Sequence, residues 1–451
     1  MGTDRRRDGS AAASGGPDAP GTRTRVPGRF GRPRSRVLRS FRHPAFRVVW
    51  GTLLVGHLGF WISFLALQAL MARLTDGEAS WQGVLFFANF VPLLVFTPFA
   101  GVVADRVERR KILLVGHGAV GVTATALAVA VLTDRIGAPG LLPFAFAIGT
   151  AFSFTAPANH AMVANTVPAA DLASAVSLQS AGSNLSRVVG PALAAPILAL
   201  LDEGAAFAIY GGTSVFVVVV LSRIHIEPHR RSGGSAGYWA SLAEGLRHAR
   251  DRPPAVAALT ILAVSSLFAG GYLAFLPVVA EDVFGRGPTG LTTLAAASGL
   301  GSMVGALTTG LREETPSLAA VAALVAGFGA SVVAFGANDH WGLALVLVAI
   351  VGGFGFAAMT TLNTLLQRLA DDAMRGRLMA LFTVGWGGLV PIGALWQGAF
   401  ARGAGVQAAL VVAGAVTACY SPLAVVVTRA RTRRASVVAE AVPAPAPGPS
   451  G

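Results

Sequence analysis

Apolar residues fill this chain in long blocks, each closed by charged residues or by Pro/Gly punctuation. Twelve blocks can be read, over 46–72, 82–104, 111–132, 140–164, 172–200, 204–222, 255–279, 289–310, 316–336, 341–366, 375–401 and 405–427. A helix of about 20 apolar residues crosses the hydrocarbon core of a bilayer, and each block is about that long or longer. The pattern predicts an all-α membrane protein of twelve transmembrane helices, the longer ones tilted or extending past the lipid.

The longest internal loop, 223–254, divides the blocks into an N-terminal half (43–222) and a C-terminal half (255–428). Within the loop, "YWASLAEGLRHARDRP" places Tyr238, Trp239, Leu242, Leu246 and Ala249 at helical spacing, with Arg247, Arg250 and Arg252 towards its end. That predicts an amphipathic linker helix at the membrane surface. The halves echo each other: "AFSFTAPANHAMVANTVPAADLASAV" (151–176) lies over "GFGFAAMTTLNTLLQRLADDAMRGRL" (353–378), matching Phe152 with Phe354, Phe154 with Phe356 and Asn165 with Gln367. Two repeated six-helix halves with sites between them are a transporter architecture. Residues 1–42, with eleven arginines among Gly, Pro and Ser, cannot bury a core and are expected to be a disordered tail, as are residues 429–451. The first apolar block is too long for a signal peptide.

Composition agrees: 53% of residues are hydrophobic, 13% are charged, and the mean hydropathy is +0.62. The net charge of +13 resides in tails and alternate loops, which argues against a nucleic-acid partner. Alternate loops and the tails carry 29 arginines, and the intervening loops carry four, Arg73, Arg135, Arg286 and Arg402. The positive-inside rule then places both termini in the cytoplasm, as an even number of spans requires. Lys111 is the one lysine, a bias expected of a GC-rich bacterial genome, and the single cysteine, Cys419, allows neither an intrachain disulfide nor a cysteine metal cluster.

The loop between blocks two and three packs two acids, three arginines and a lysine into seven residues (105–111). A topogenic loop needs only positive charge, whereas this one also has Asp105 directly after the helix and Gly101 four residues earlier. Asp105 could face an arginine or the positive end of a helix, while Arg109 and Arg110 could reach lipid phosphate or acids across the gap. "GVVADRVERR" (101–110) resembles the G-x-x-x-D-R-x-x-R-R signature of the major facilitator superfamily. The resemblance covers about residues 43–430, and residues 46–110 with "ADDAMRGRLMAL" are similar to its enterobactin-exporter-like branch. It implies that the loop is a cytoplasmic latch. Asp105 and Arg106 would engage the start of span 11, where Arg375 and Arg377 stand. "SLQSAGSNLSRVVGPALAAP" in span 5 is similar to the antiporter motif of drug exporters around Gly190-Pro191, with Ser177, Ser186, Ala194 and Ala195 where glycines are expected. Gly301 and Gly305 of span 8 are its expected small-residue packing partners, with Pro191 kinking span 5.

Polar groups in the hydrocarbon are costly and therefore mark candidate substrate-path residues. Arg187 is the one charged side chain well inside a block; it lies sixteen residues beyond Asp171, about 24 Å along a helix, near mid-membrane. No carboxylate inside a span can pair with it, so it can attract an anionic or catecholate-like group. His57, Trp61 and Gln68 form a polar–aromatic stripe in span 1, and Asn159, Asn184, Asn363 and Trp386 complete the candidate path. His117, Asn89, Gln367, Gln397 and Trp396 could add to it. Span 4 lacks the arginine and acid that drug exporters of the superfamily often carry, so a proton as coupling ion rests on the resemblance alone. No Walker loop or nucleophile elbow occurs, so neither an enzyme nor a cofactor is expected. The expectation is a monomeric, alternating-access secondary transporter in a bacterial inner membrane, exporting a drug, siderophore or other natural product. Nutrient uptake and a transporter-like sensor or scaffold are the alternatives.

Overall fold

The computed structural model describes residues 38–224, 238–310, 316–371 and 374–441. Twelve of its helices are long and apolar enough to cross a membrane. They are α1 (Pro44–Leu74), α2 (Ala79–Arg106), α3 (Arg109–Leu132), α4 (Ala138–Ala164), α5 (Leu172–Leu200), α6 (Glu203–Arg223), α7 (Pro253–Val283), α8 (Gly287–Gly310), α9 (Leu318–Gly336), α10 (Trp341–Leu369), α11 (Arg375–Ala404) and α12 (Val406–Ala441). α1–α6 form one half and α7–α12 the other, joined through a connecting helix, Tyr238–Arg250.

Two expectations need correction, both about the tails, and a third gains a contact. Arg39–Arg42 form a 3-10 turn within the expected N-terminal tail: the Ser40 hydroxyl donates to the Asp171 carbonyl, and Arg39 and His43 pair with the Asp171 carboxylate at 3.3 and 2.9 Å. At the other end, α12 continues through residues 429–441, expected to be a tail, because "RARTRRASVVAEA" has helix formers and no Gly or Pro before Pro443. The rest of both tails, 1–37 and 442–451, lies outside the described residues. Finally, the connecting helix docks on α11 as well as carrying basic residues. Gly245 lies where a Cβ would come within 3.0 Å of the Arg377 carbonyl, Glu244 pairs with Arg377 at 2.6 Å, and Ala249 is fully buried. The side chains of Tyr238 and Trp239 lie outside the described set.

α7 is regular only to Phe268; residues 270–275 form a 3-10 segment and 279–283 a π segment. The cause is Gly270-Gly271, which packs directly on α11: a Cβ on Gly271 would stand 2.8 Å from Gln397 Nε2 and 3.3 Å from the Ala394 nitrogen. This break turns Tyr272 into the interior.

The halves meet at mid-depth and towards the face holding Arg73, Arg135, Arg286 and Arg402, the arginine-poor face. There α2 and α11 touch backbone to backbone, for a Cβ on Gly83 would lie 2.5 Å from the Ala394 carbonyl and one on Gly398 2.9 Å from the Ala79 carbonyl. Towards the arginine-rich face the halves part. Among the described residues α4 and α5 make no extended contact with α10 or α11. His160, Ser177, Ser180, Thr364, Gln367 and Thr383 are all exposed on these four helices. The structure is closed on one face and open on the other.

Candidate substrate site

α5 carries Arg187 to the junction of the two halves. Pro191 has no N–H, so the Arg187 carbonyl lacks its usual helical donor, and α5 nevertheless runs unbroken through Pro191 and Pro196. α8 fills that place, since a Cβ on Gly299 would stand 2.5 Å from the Arg187 oxygen. Gly301 and Gly305 face the other way. They lie against the Ala349 and Gly353 carbonyls of α10, where a Cβ would approach to 1.7 and 2.3 Å. The expected packing of this glycine pair on α5 is therefore corrected: it joins two helices of one half, and Gly299 makes the contact across the halves. Gly190 admits the Trp61 side chain, whose Cβ would be 2.4 Å from a Cβ there.

The Arg187 guanidinium sits between aromatic rings of both halves. Its Cζ is 5.7 Å from the Trp61 ring centroid on α1 and 5.4 Å from the Phe356 centroid on α10. Such contacts are worth about 0.5–2 kcal/mol and leave the guanidinium edge for hydrogen bonding. Arg187 Nε is buried and makes no hydrogen bond. Arg187 lines a cavity of about 230 Å³ whose walls include Tyr272, Phe328, Phe356, Met359 and Trp386. Beyond Arg187 the space narrows to about 30 Å³ between Trp61, Gln68, Tyr272 and Ser298. A guanidinium held between aromatic rings at a cavity wall suits a planar anion, which it can grip through two parallel N–H groups.

The other candidates separate. Trp61, Gln68, Arg187 and Trp386 line this space. Asn184 turns to its own helix and donates to the Ser180 carbonyl at 3.0 Å. Asn363 accepts from Gln367 at 2.5 Å and contacts Met379 Sδ at 3.8 Å. Asn159 is buried with Oδ1 unpaired. His57 Nδ1 lies 2.7 Å from the Leu53 carbonyl and must carry the hydrogen there. Its ring is within electrostatic reach of His117 and His160, in the N-terminal half away from the cavity. Sequence reasoning missed Phe356, Tyr272, Ser298 and Gly299; the Gly-Gly-Tyr run at 270–272 was the available signal for Tyr272.

At the arginine-rich face Arg109 and Arg110 do not reach across the halves. Arg109 donates to the Ala161 carbonyl and Asn165 Oδ1 at 3.1 and 3.0 Å, and Arg110 to the Leu221 and Ser222 carbonyls at 2.8 and 2.5 Å. Both satisfy orphan carbonyls at the ends of α4 and α6, where the helix dipole favours cations. Arg377 binds the connecting helix, as given above. Arg106 and Gly101 are exposed, and among the described residues outside its own helix nothing lies within 4 Å of a Cβ built on Gly101. The Asp105 side chain lies outside the described residues, and Arg375 opens α11.

The closed face has an ion pair between the halves that charge patterning did not reveal. Arg402 at the end of α11 meets Glu78, just before α2, at 2.9 Å and donates to the Ser80 hydroxyl at 2.7 Å. The Ser80 hydroxyl donates to Glu78 at 2.6 Å and, with Arg402 beyond it, holds the carboxyl below the usual carboxylate range. A lowered value means that the pair is intact above the ordinary glutamate range, about pH 4.3, and is lost as pH falls through the depressed value. Glu78→Gln is expected to raise labelling of a cysteine placed at Leu291, which is 1% exposed beside the cavity lined by Arg73 and Gly287 on that face, by an impermeant maleimide at pH 7. Unchanged labelling would show that the pair does not hold the face shut.

Residues 35–447 match the family described as Transmembrane secretion effector. The chain belongs to that family of the major facilitator superfamily. As a member, it is a transporter. It is 26% identical over 364 residues to the enterobactin exporter EntS of Escherichia coli O1:K1 / APEC, covering 76% of this chain and 81% of that protein, and equally to EntS of Shigella boydii serotype 18. Its fold is similar to a bacterial homolog of the human lysosomal transporter Spinster, inward-facing and unoccupied (TM-score 0.64, 14% identity, covering 86% and 97% of the two chains). It is also similar to the nucleoside transporter NupG (TM-score 0.67, 13% identity, covering 84% and 99%). The family and the twelve membrane-spanning helices make it a multi-pass inner-membrane protein.

Proposed function

We propose that this transporter exports a small organic molecule with a planar anionic or catecholate-like group, by alternating access. The observation that carries the reading is Arg187: a buried cation at the junction of the halves, set between the Trp61 and Phe356 rings, without a hydrogen bond at Nε and lining the cavity. The arginine-rich face is the cytoplasmic one by charge bias. The cavity then opens inward, ready to load from the cytoplasm, and the Glu78–Arg402 pair closes the outside. Likeness to EntS supports the outward direction and a siderophore-like cargo. A proton is the coupling ion that the resemblance implies, and the unit of transport is the monomer, since one chain supplies both halves of the cavity.

The test is accumulation in cells stripped of their own efflux pumps, over a panel of catecholates, anionic dyes and neutral antibiotics. Expression of the protein is expected to lower accumulation of anionic aromatic compounds several-fold and to leave neutral ones unchanged. Raised accumulation would indicate uptake and contradict the reading.

A further inference from the structure

The narrow void beyond Arg187 is walled by a side chain whose chemistry is unused. Gln68 is 3% exposed, and neither its Oε1 nor its Nε2 has a hydrogen-bond partner. A buried amide with both ends unpaired is costly, so its place in an apolar helix needs a reason. The neighbours are polar in the same sense. Tyr272 and Ser298, on the same void, share a hydrogen bond at 2.8 Å and keep unused lone pairs. Gln82 donates to the Gln68 backbone carbonyl at 2.9 Å and leaves its own Oε1 unpaired. These groups are neutral, so they can recognise a hydroxyl or amide but give no attraction for a second charge.

Resting on the reading of Arg187 as the anion site, we propose that this void is a second subsite, in which the Gln68 amide binds a neutral hydroxyl at the far end of the cargo. The spacing follows from α1. Trp61, which stacks on Arg187, and Gln68 are seven residues apart on one helix, about 10 Å at 1.5 Å per residue. The substrate class is therefore an aromatic anion with a hydroxyl about 10 Å from its acidic group. At about 30 Å³ the void holds no more than a water or two, so the outer part of the cargo enters only as the walls around Gln68, Tyr272 and Ser298 move apart in the transport cycle.

Two probes separate the possibilities: biphenyl-4-carboxylate, and 4′-hydroxybiphenyl-4-carboxylate, whose hydroxyl lies about 10 Å from the carboxylate. Binding to the purified full chain is read by quenching of tryptophan fluorescence and by calorimetry. The wild type is expected to prefer the hydroxylated probe about five- to tenfold, the worth of one net hydrogen bond. Gln68→Met should erase that preference, so that the variant binds the two probes with equal affinity. The variant replaces an unpaired buried amide by an apolar side chain of similar size, so its melting temperature should hold or rise, which excludes misfolding as the cause. Equal affinity of both probes for the wild type, or a preference surviving in Gln68→Met, would overturn the subsite and leave the Arg187 cavity standing; the void would then be a water site. Failure of the wild type to bind either probe would overturn the Arg187 reading and the subsite with it.

Discussion

Arg187→Gln is expected to abolish export of anionic aromatic compounds while the protein still folds and reaches the membrane. The guanidinium supplies two things at once: a positive charge at mid-depth, and a planar group within cation–π distance of Trp61 and Phe356 at the cavity wall. A hydrogen bond to a charged partner contributes roughly 1.5–3 kcal/mol, on the order of ten- to a hundredfold in affinity. Glutamine is shorter, keeps some polarity and loses the charge. Removing an unpaired buried cation should not destabilise the fold. Arg187→Lys is the informative control, because lysine restores the charge as a hydrated point without the flat face. It should recover transport only in part. Equal export by wild type and Arg187→Gln would show that the cargo does not bind there.

The second large effect is expected at Gly101. In this structure, open at the arginine-rich face, a Cβ there meets nothing within 4 Å among the described residues outside its own helix, and Gly101 is exposed. Gly101→Leu should therefore leave expression and melting temperature nearly unchanged, within about the 0.5 kcal/mol typical of surface substitutions. Closing this face brings α2 towards α11, and a leucine at the approach point would hold the helices apart. The variant is expected to bind substrate and to transport none. Transport at wild-type rate would mean that the motif around Gly101 takes no part in closure. Gly301 is the contrast: with the Ala349 carbonyl 1.7 Å from a built Cβ, its smallness serves the resting fold of one half.

The spans were legible because apolar length alone decides them, and Arg187 was legible because a lone charge in hydrocarbon is conspicuous in any sequence. Its surroundings were not. Phe356 lies 169 residues away on α10, and nothing in local spacing distinguishes it from the lipid-facing or core phenylalanines around it. The direction of Gly301 and Gly305 was equally hidden, since a GxxxG stripe tells that a helix comes close but not which one. Arg109 and Arg110 looked like charges reaching across a gap; helix ends at Ala161, Leu221 and Ser222 claimed them, a demand that appears only once α4 and α6 stop beside α3. Glu78 and Arg402 are 324 residues apart, so their pairing is a property of the assembled halves. The connecting helix was recognisable by its periodicity, but its seat on α11 depends on Gly245 and Glu244 meeting Arg377.

The most direct measurement is accumulation of 4′-hydroxybiphenyl-4-carboxylate in energised everted membrane vesicles, whose outer surface is the cytoplasmic face. An exporter loading at the open arginine-rich face must concentrate the compound inside such vesicles, and Arg187→Gln vesicles must not. No accumulation in everted vesicles, with accumulation in right-side-out vesicles instead, would contradict the account by showing a transporter that works inward.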